Sequence, residues 1–214
     1  MASKLPARAA SNADLQGTDS PSVPCMKGAY TLDLVKPLRA RRDEALKVLP
    51  PRLHEYLTMR ILPSSWYPDA DHMELRKALA TLNKHIPDIW AMFGQVSARN
   101  NSQRLYKALI TPGDPARTFR NLPRGWSQYH NTGRLVTTIV EDEKGLFEIH
   151  DWPTSSNEMC QSLGAYYAKI LRISGATEVR FVSKPVGPRT GRSAAYAPII
   201  KSLHAVELKS VFPH

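Results

Sequence analysis

The sequence holds little that would staple, span or catalyse. Its 214 residues include only two cysteines, Cys25 and Cys160, which stand far apart and form no CxxC pair, so neither a structural zinc site nor a disulfide framework is indicated. A reducing compartment is the simpler reading, and a chain of this length buries roughly 70% of its unfolded surface without staples. No apolar run approaches the roughly 20 residues that span a bilayer. The opening stretch Met1-Ala2-Ser3-Lys4-Leu5-Pro6 lacks the apolar core of a secretory signal, and Asp14 and Asp19 count against a transit peptide. The expectation is a cytoplasmic protein with no membrane span.

Catalytic signatures are equally scarce. A Gly-x-Gly-x-x-Gly loop, a Walker loop and a Gly-x-Ser-x-Gly elbow are all missing. The histidines His54, His72, His85, His130, His150, His204 and His214 include no pair at the four-residue helical spacing of many zinc sites, so no metal is expected. Cys160 is a nucleophile only if a base such as His130 or His150 stands beside it; on the apolar stripe of a helix it reads as a small core residue. A non-enzymatic protein is the reading these absences favour.

Acidic residues are also few, 19 against 29 Lys and Arg, leaving a net charge of +10. Clustered cations are the footprint of phosphate binding, and Arg117, Arg120, Arg124 and Arg134 are the residues through which nucleic acid would be held. The cations are spread over several elements, however, and an ordinary solvated basic surface explains them as well. The basic, glycine-containing stretch from Lys184 to Arg192 lacks the strand-turn-helix context of a phosphate loop.

What is present is an ordered series of turn signals, aromatics and periodic apolar residues. Residues 1–30, rich in Ala, Ser, Pro, Asn and Asp, read as a flexible tail ahead of a single domain over 31–214. Leu34 to Leu49 has helical periodicity and stops at Pro50-Pro51; Leu53 to Leu62 repeats it until Pro63. Asp71 with Glu74 opens a helix carrying Leu75, Leu79 and Leu82, and Pro87 opens another bearing Trp90, Phe93 and Val96. Asp114-Pro115 starts the next, which Pro123 is expected to split before Trp126 and Tyr129.

After Gly133 the period changes from helical to alternating. The β-branched run Arg134 to Val140 and the segment Leu146 to His150, joined by Glu141-Asp142-Glu143-Lys144-Gly145, predict a hairpin. Ser155 with Glu158 caps a helix through Cys160, Leu163, Gly164, Tyr167, Ile170 and Leu171 that Gly175 stops, and Glu178 to Val182 is a third strand. Beyond Ala195 the type is ambiguous, with a strand suggested around Val206 to Val211. The class is α+β: a helical N-terminal part packed on a small antiparallel sheet.

The aromatics on these helices are dense enough to line a small-molecule site, and equally suited to filling a core. Trp90, Phe93, Trp126, Tyr129, Cys160 and Tyr167 are the candidate ligand-binding residues. The expected partner is a small apolar or amphipathic ligand, or a protein, with a homodimer among the arrangements allowed.

Trp66-Tyr67-Pro68, Asp114-Pro115, Leu122-Pro123 with Trp126, Asn131-Thr132-Gly133 before the first hairpin strand, and Cys160 with Gly164 before Ser174-Gly175-Ala176 together carry a resemblance. The run resembles a bacterial family related to the haem-NO-binding and vinyl-reductase-like ligand-sensing superfamily. That resemblance implies an α+β sensor with a pocket between helices and sheet. Two departures limit it. The further cysteines of vinyl-reductase-like domains are missing between Val186 and Gly191, which argues against the family's metal site. The histidine and Tyr-x-Ser-x-Arg clamp of haem sensors are missing too, with only a loose echo at Tyr56, Thr58 and Arg60. No cofactor is therefore expected, haem included.

Overall fold

The structure is a computed structural model that describes residues 21–103, 107–141, 144–186 and 201–209. The chain begins with a pairing that periodicity did not foretell. Strand β1 (Cys25–Lys27) runs antiparallel to β2 (Trp66–Pro68), with Met26 opposite Tyr67. The flexible tail expected over residues 1–30 does not extend over residues 21–30, which are tied down from Pro21 onward. The Asn131 amide donates to the Pro21 and Val23 carbonyls at 2.9 and 2.7 Å, and its Oδ1 accepts from the Cys25 amide at 2.6 Å. Residues 1–20 lie outside the described residues.

Helix α1 (Gly28–Ala40) follows directly and breaks at Arg41, so the single helix expected over Leu34 to Leu49 is two, with α2 at Arg42–Val48. The Arg41 side chain reaches away to Glu44 and to the Leu82 carbonyl, holding the corner. Pro51–Leu57 is a 3-10 helix, shorter than the periodicity to Leu62 suggests. Helix α3 (Asp69–Leu82) starts before Asp71, and α4 (Ile89–Ser102) carries Trp90 and Phe93 as expected.

Helix α5 (Pro115–Tyr129) begins where Asp114-Pro115 predicts, the Asp114 side chain accepting from the Arg117 amide at 2.8 Å. Pro123 does not split it. One missing backbone hydrogen bond costs less than the buried stripe Thr118, Phe119, Leu122, Gly125 and Trp126 returns.

Strands β3 (Arg134–Glu141) and β4 (Lys144–His150) form the expected hairpin, with Thr137 opposite Phe147. Helix α6 (Asn157–Ile173) is capped by Ser156 rather than Ser155, whose neighbour sits one residue closer to the turn, and ends at Gly175 with φ +114°. Strand β5 (Glu178–Val186) extends past Val182, and β6 (Lys201–Lys209) resolves the ambiguous C-terminal stretch by inserting between β4 and β5. The antiparallel order is β3-β4-β6-β5, so Pro185 falls on an edge strand, where a missing donor is tolerated. The remainder of the Lys184 to Arg192 stretch, from residue 187, lies outside the described residues.

Two cores result. One is mainly aliphatic: Leu34, Val35, Leu38, Leu49, Leu53, Leu57, Leu75 and Leu79 join the N-terminal helices, with Phe93 at its edge. The other is mainly aromatic: Phe119, Trp126, Phe147, Trp152, Tyr166 and Tyr167 pack α5 and α6 on the sheet. Helices α4 and α6 bring the halves together. At their crossing a Cβ on Gly94 would lie 1.9 Å from the Ser162 carbonyl oxygen, so only glycine allows these two backbones to touch.

Candidate functional site

Helix α3 carries a buried polar face that its leucine periodicity hides. Asp69, His72 and Arg76 lie at helical spacing on one side and are 1%, 2% and 6% exposed. Their partners come from distant elements. Asp69 Oδ2 accepts from Trp152 Nε1 at 3.2 Å and Thr154 Oγ1 at 2.8 Å, while Oδ1 has no partner. Burial pushes the Asp69 carboxyl upward, and those two hydrogen bonds act in the opposite direction.

Arg76 donates from one terminal nitrogen to Ser162 Oγ at 2.6 Å on α6, and its Nε is unpartnered. Its guanidinium also lies 5.8 Å from the centre of the Phe93 ring, a cation–π contact. Among the described residues no carboxylate forms an ion pair with Arg76. Asp33, the acid that acts on it through space, is already engaged by Ser97 Oγ at 2.5 Å and Asn100 Nδ2 at 2.9 Å. Burial lowers the arginine to about 10, so it stays charged at neutral pH.

His72 and His130 complete the cluster. Neither ring nitrogen of His72 makes a hydrogen bond of good geometry, the backbone of Tyr30 giving only weak support, and the buried Nδ1 of His130 has none. Burial drives both below the ordinary histidine value, His130 to about 3, and the nearby Arg76 charge adds to the effect. Both imidazoles are therefore neutral at pH 7. His130 stacks on Trp126 with ring centres 3.9 Å apart, and Trp126 meets Trp152 edge-on at 5.1 Å.

These groups surround a cavity of about 30 Å³ enclosed by Met26, Tyr30, His72, Arg76, Gly94, Ser97, His130, Met159, Ser162, Leu163, Tyr166 and Tyr167. That is room for about two water molecules. The walls are β1, the helices α1, α3, α4 and α6, and the end of α5. It thus lies at the seam between the two cores, rather than between the helices and the four-stranded sheet.

The candidate residues read from sequence fall at different distances from this seam. Tyr167 lines the cavity, and Phe93 touches it through Arg76. Tyr129 packs edge-on against Tyr30 at 5.7 Å and Trp126 stacks on His130, so both stand one layer behind. Trp90 is farther out, packed on Phe93 at 5.7 Å. Cys160 is buried on α6 and is not among the cavity residues; it forms no disulfide with Cys25, whose thiol burial pushes up to about 12. Asp69, His72 and Arg76 were not singled out from sequence. The signal available was three polar residues at i, i+3 and i+7 on the helix face that must be buried.

Arg117, Arg120 and Arg124 do share one exposed side of α5, with Arg134 exposed at the start of β3. A separate open groove of about 590 Å³ is bordered by Arg99, Lys107, Lys169 and Ile173. Among the described residues no group of three His, Cys, Asp or Glu side chains is arranged to hold a metal, and no helix is long and apolar enough to cross a membrane.

No protein-family model matches the sequence, and no curated protein is similar to it in sequence. Solved structures are similar in fold. An H-NOX domain described for its activation mechanism is 13% identical, with a TM-score of 0.59, covering 88% of this chain and 100% of its own. An oxygen-binding H-NOX domain related to soluble guanylate cyclases, in its oxygen complex, is 12% identical with a TM-score of 0.59, covering 88% of this chain and 98% of its own. A point mutant of the T. tengcongensis H-NOX domain is 12% identical with a TM-score of 0.58, covering 87% and 100%. Over most of its length, then, this α+β chain has the fold of the H-NOX domains.

Proposed function

We propose that the chain is a non-enzymatic, haem-independent sensor domain whose ligand is a molecule of very few atoms seated at the seam between the two cores. The observation that carries this reading is the cavity at Arg76: a small pocket whose walls hold polar atoms of His72, His130 and Arg76 without a hydrogen bond of good geometry. Buried polar groups left unpaired cost roughly 1–3 kcal/mol each, so a ligand that pairs them gains affinity from the fold itself. The likeness to H-NOX domains supports a sensing role, because several of those proteins are described through their haem or their bound oxygen.

Haem itself does not fit the residues present. The two orphan imidazoles supply nitrogen donors, but Tyr30, Tyr166, Tyr167, Trp126 and Trp152 fill the interior around them with edge-to-face contacts. A space of about 30 Å³ has no room for a porphyrin ring. The apolar or amphipathic ligand suggested by the aromatics becomes, on this reading, a smaller and more polar one.

Two measurements test the proposal. Haemin titrated into the purified protein is expected to give no stoichiometric complex by absorption spectroscopy; a one-to-one complex with histidine ligation would overturn the haem-independent reading. A panel of small solutes, neutral and charged, is expected to include members that shift amide resonances clustered around Met26, Arg76 and Ser162. A panel in which nothing shifts them would sink the assignment of the seam as a ligand site.

A further inference from the structure

We infer that the seat at Arg76 is an anion site, taking a monovalent inorganic anion of one to three heavy atoms such as chloride or nitrite. The inference rests on the proposal that the seam is a ligand site, and it adds the charge and size of the occupant.

Three observations converge on it. Arg76 is 94% buried by its 6% exposure, and a guanidinium in such surroundings requires a compensating negative charge. Among the described residues no carboxylate supplies one at ion-pair distance: Asp33 spends its oxygens on Ser97 and Asn100, and Asp69, whose Oδ2 takes Trp152 and Thr154 and whose Oδ1 is unpartnered, forms no ion pair with it. The single acceptor that Arg76 does have is a neutral hydroxyl, Ser162 Oγ, and its Nε is left over on the cavity wall.

The remaining wall groups suit an anion. A neutral imidazole carries one N–H donor, and the buried Nδ1 of His130 has no partner, so His130 can turn that donor inward; the Ser97 hydroxyl in the same lining is already donated to Asp33. The volume of about 30 Å³ sets the size limit. Chloride fits and nitrite approaches the limit, whereas a sugar acid or any organic phosphate is excluded. The bidentate fork of an arginine also matches a bent oxyanion better than a lysine would.

The test uses the whole protein. Melting temperature is measured in sodium chloride, sodium nitrite and sodium gluconate at equal ionic strength, together with the NMR line width of chloride and its reversal by nitrite. Chloride and nitrite are expected to raise the melting temperature over gluconate, saturably, by about 5 °C at a hundredfold excess over the dissociation constant. Broadening of the chloride line is expected to disappear when nitrite is added. Arg76→Met is expected to lose both effects, and Arg99→Met, in the surface groove, to retain them.

Equal melting temperatures in all three salts, or chloride broadening that persists in Arg76→Met, would overturn the inference. The wild-type salt series decides even where Arg76→Met fails to fold. Failure of this inference is also distinct from failure of the site: neutral solutes that still shift the Arg76 and Ser162 amides leave the seam as a ligand site for an uncharged molecule, while silence from every solute removes both.

Discussion

The N-terminal and C-terminal halves of the molecule solve the same burial problem with different side chains. The N-terminal core is built mainly from leucines on short helices, and its two phenols are answered within that half: Tyr56 donates to Asp71 and Tyr67 accepts from the Leu62 amide. The C-terminal core is built from rings, whose indole and phenol edges need partners: Trp126 Nε1 donates to the carbonyls of Thr132 and Gly133 at 3.1 Å, and Trp152 Nε1 to Asp69. A leucine core closes on itself, whereas a ring core leaves polar edges that must be met at its boundary. Asp69 on the polar face of α3 meets the Trp152 edge there, and the buried Asp69, His72 and Arg76 stand together at the seam.

Truncating a ring should have the largest effect and should do two things at once. Trp126→Ala is expected to cost about 4 kcal/mol in urea unfolding, because a 1% exposed indole is lost and His130 loses its stacking partner. It should also change ligand response at the seam. Leu75→Ala, in the aliphatic core, is expected to cost about 3 kcal/mol while leaving that response intact. A leucine variant that abolished ligand response would break the distinction between the halves.

The seam should also show itself in pH. His72 and His130 are held below their unfolded value of about 6.5, so the unfolded chain takes up protons that the native state refuses. Their stabilisation is present above that value and is lost as pH falls toward about 3, where His130 titrates in the fold. The expected slope is at most about 1.4 kcal/mol per pH unit for each histidine. His130→Asn should flatten it, as read from urea midpoints across pH; an unchanged profile would mean that His130 is solvated in the native state.

Asp69 has the opposite sign. Its folded carboxyl is raised, so the native state binds the proton more readily and stability falls as pH rises through the carboxylate range. Asp69→Asn is expected to be at least as stable as the parent at pH 8, with the difference narrowing in acid. At the small end, replacing Arg117, Arg120 and Arg124 together with Ala should move stability by less than about 0.5 kcal/mol, because all three are exposed. The same variant decides whether the basic stripe of α5 is an interface: a fluorescent duplex bound at low salt by the parent and not by the variant would make it one.

Much of this architecture was readable from sequence wherever the determinants are local. Asp114-Pro115, the Val136-to-Val140 run and Gly175 each fix an end or a period by their own backbone preferences. What escaped was fixed at a distance. The β1–β2 pair joins two three-residue segments some forty positions apart, one containing Pro68, and neither has a period long enough to be seen. Asn131 was read as a turn residue, yet its side chain also clamps Pro21 and Val23, a role visible only once those segments meet. The helix α3 was recognised by Leu75 and Leu79, which gave no reason to single out His72 and Arg76, since polar residues usually are exposed. Only the ring-built core opposite, with its own polar edges, makes their burial tolerable. Of the six candidate ligand residues, Trp126, Tyr129 and Tyr167 pack in the aromatic core, Trp90 and Phe93 in the aliphatic one, and Tyr167 lines the seam cavity, because aromatic density marks packing and ligand sites alike.

Gly94 gives the seam a gauge. The residue lines the cavity and also marks the point where α4 and α6 meet backbone to backbone. On that side the cavity wall is set by the spacing of two peptide chains, which cannot change rotamer, whereas the rest of the lining is side chains, which can. On the proposed reading of the seam, selection by size is a mechanical tolerance of the frame: a single methyl group at position 94 would spread the jaws, and larger molecules would then be admitted.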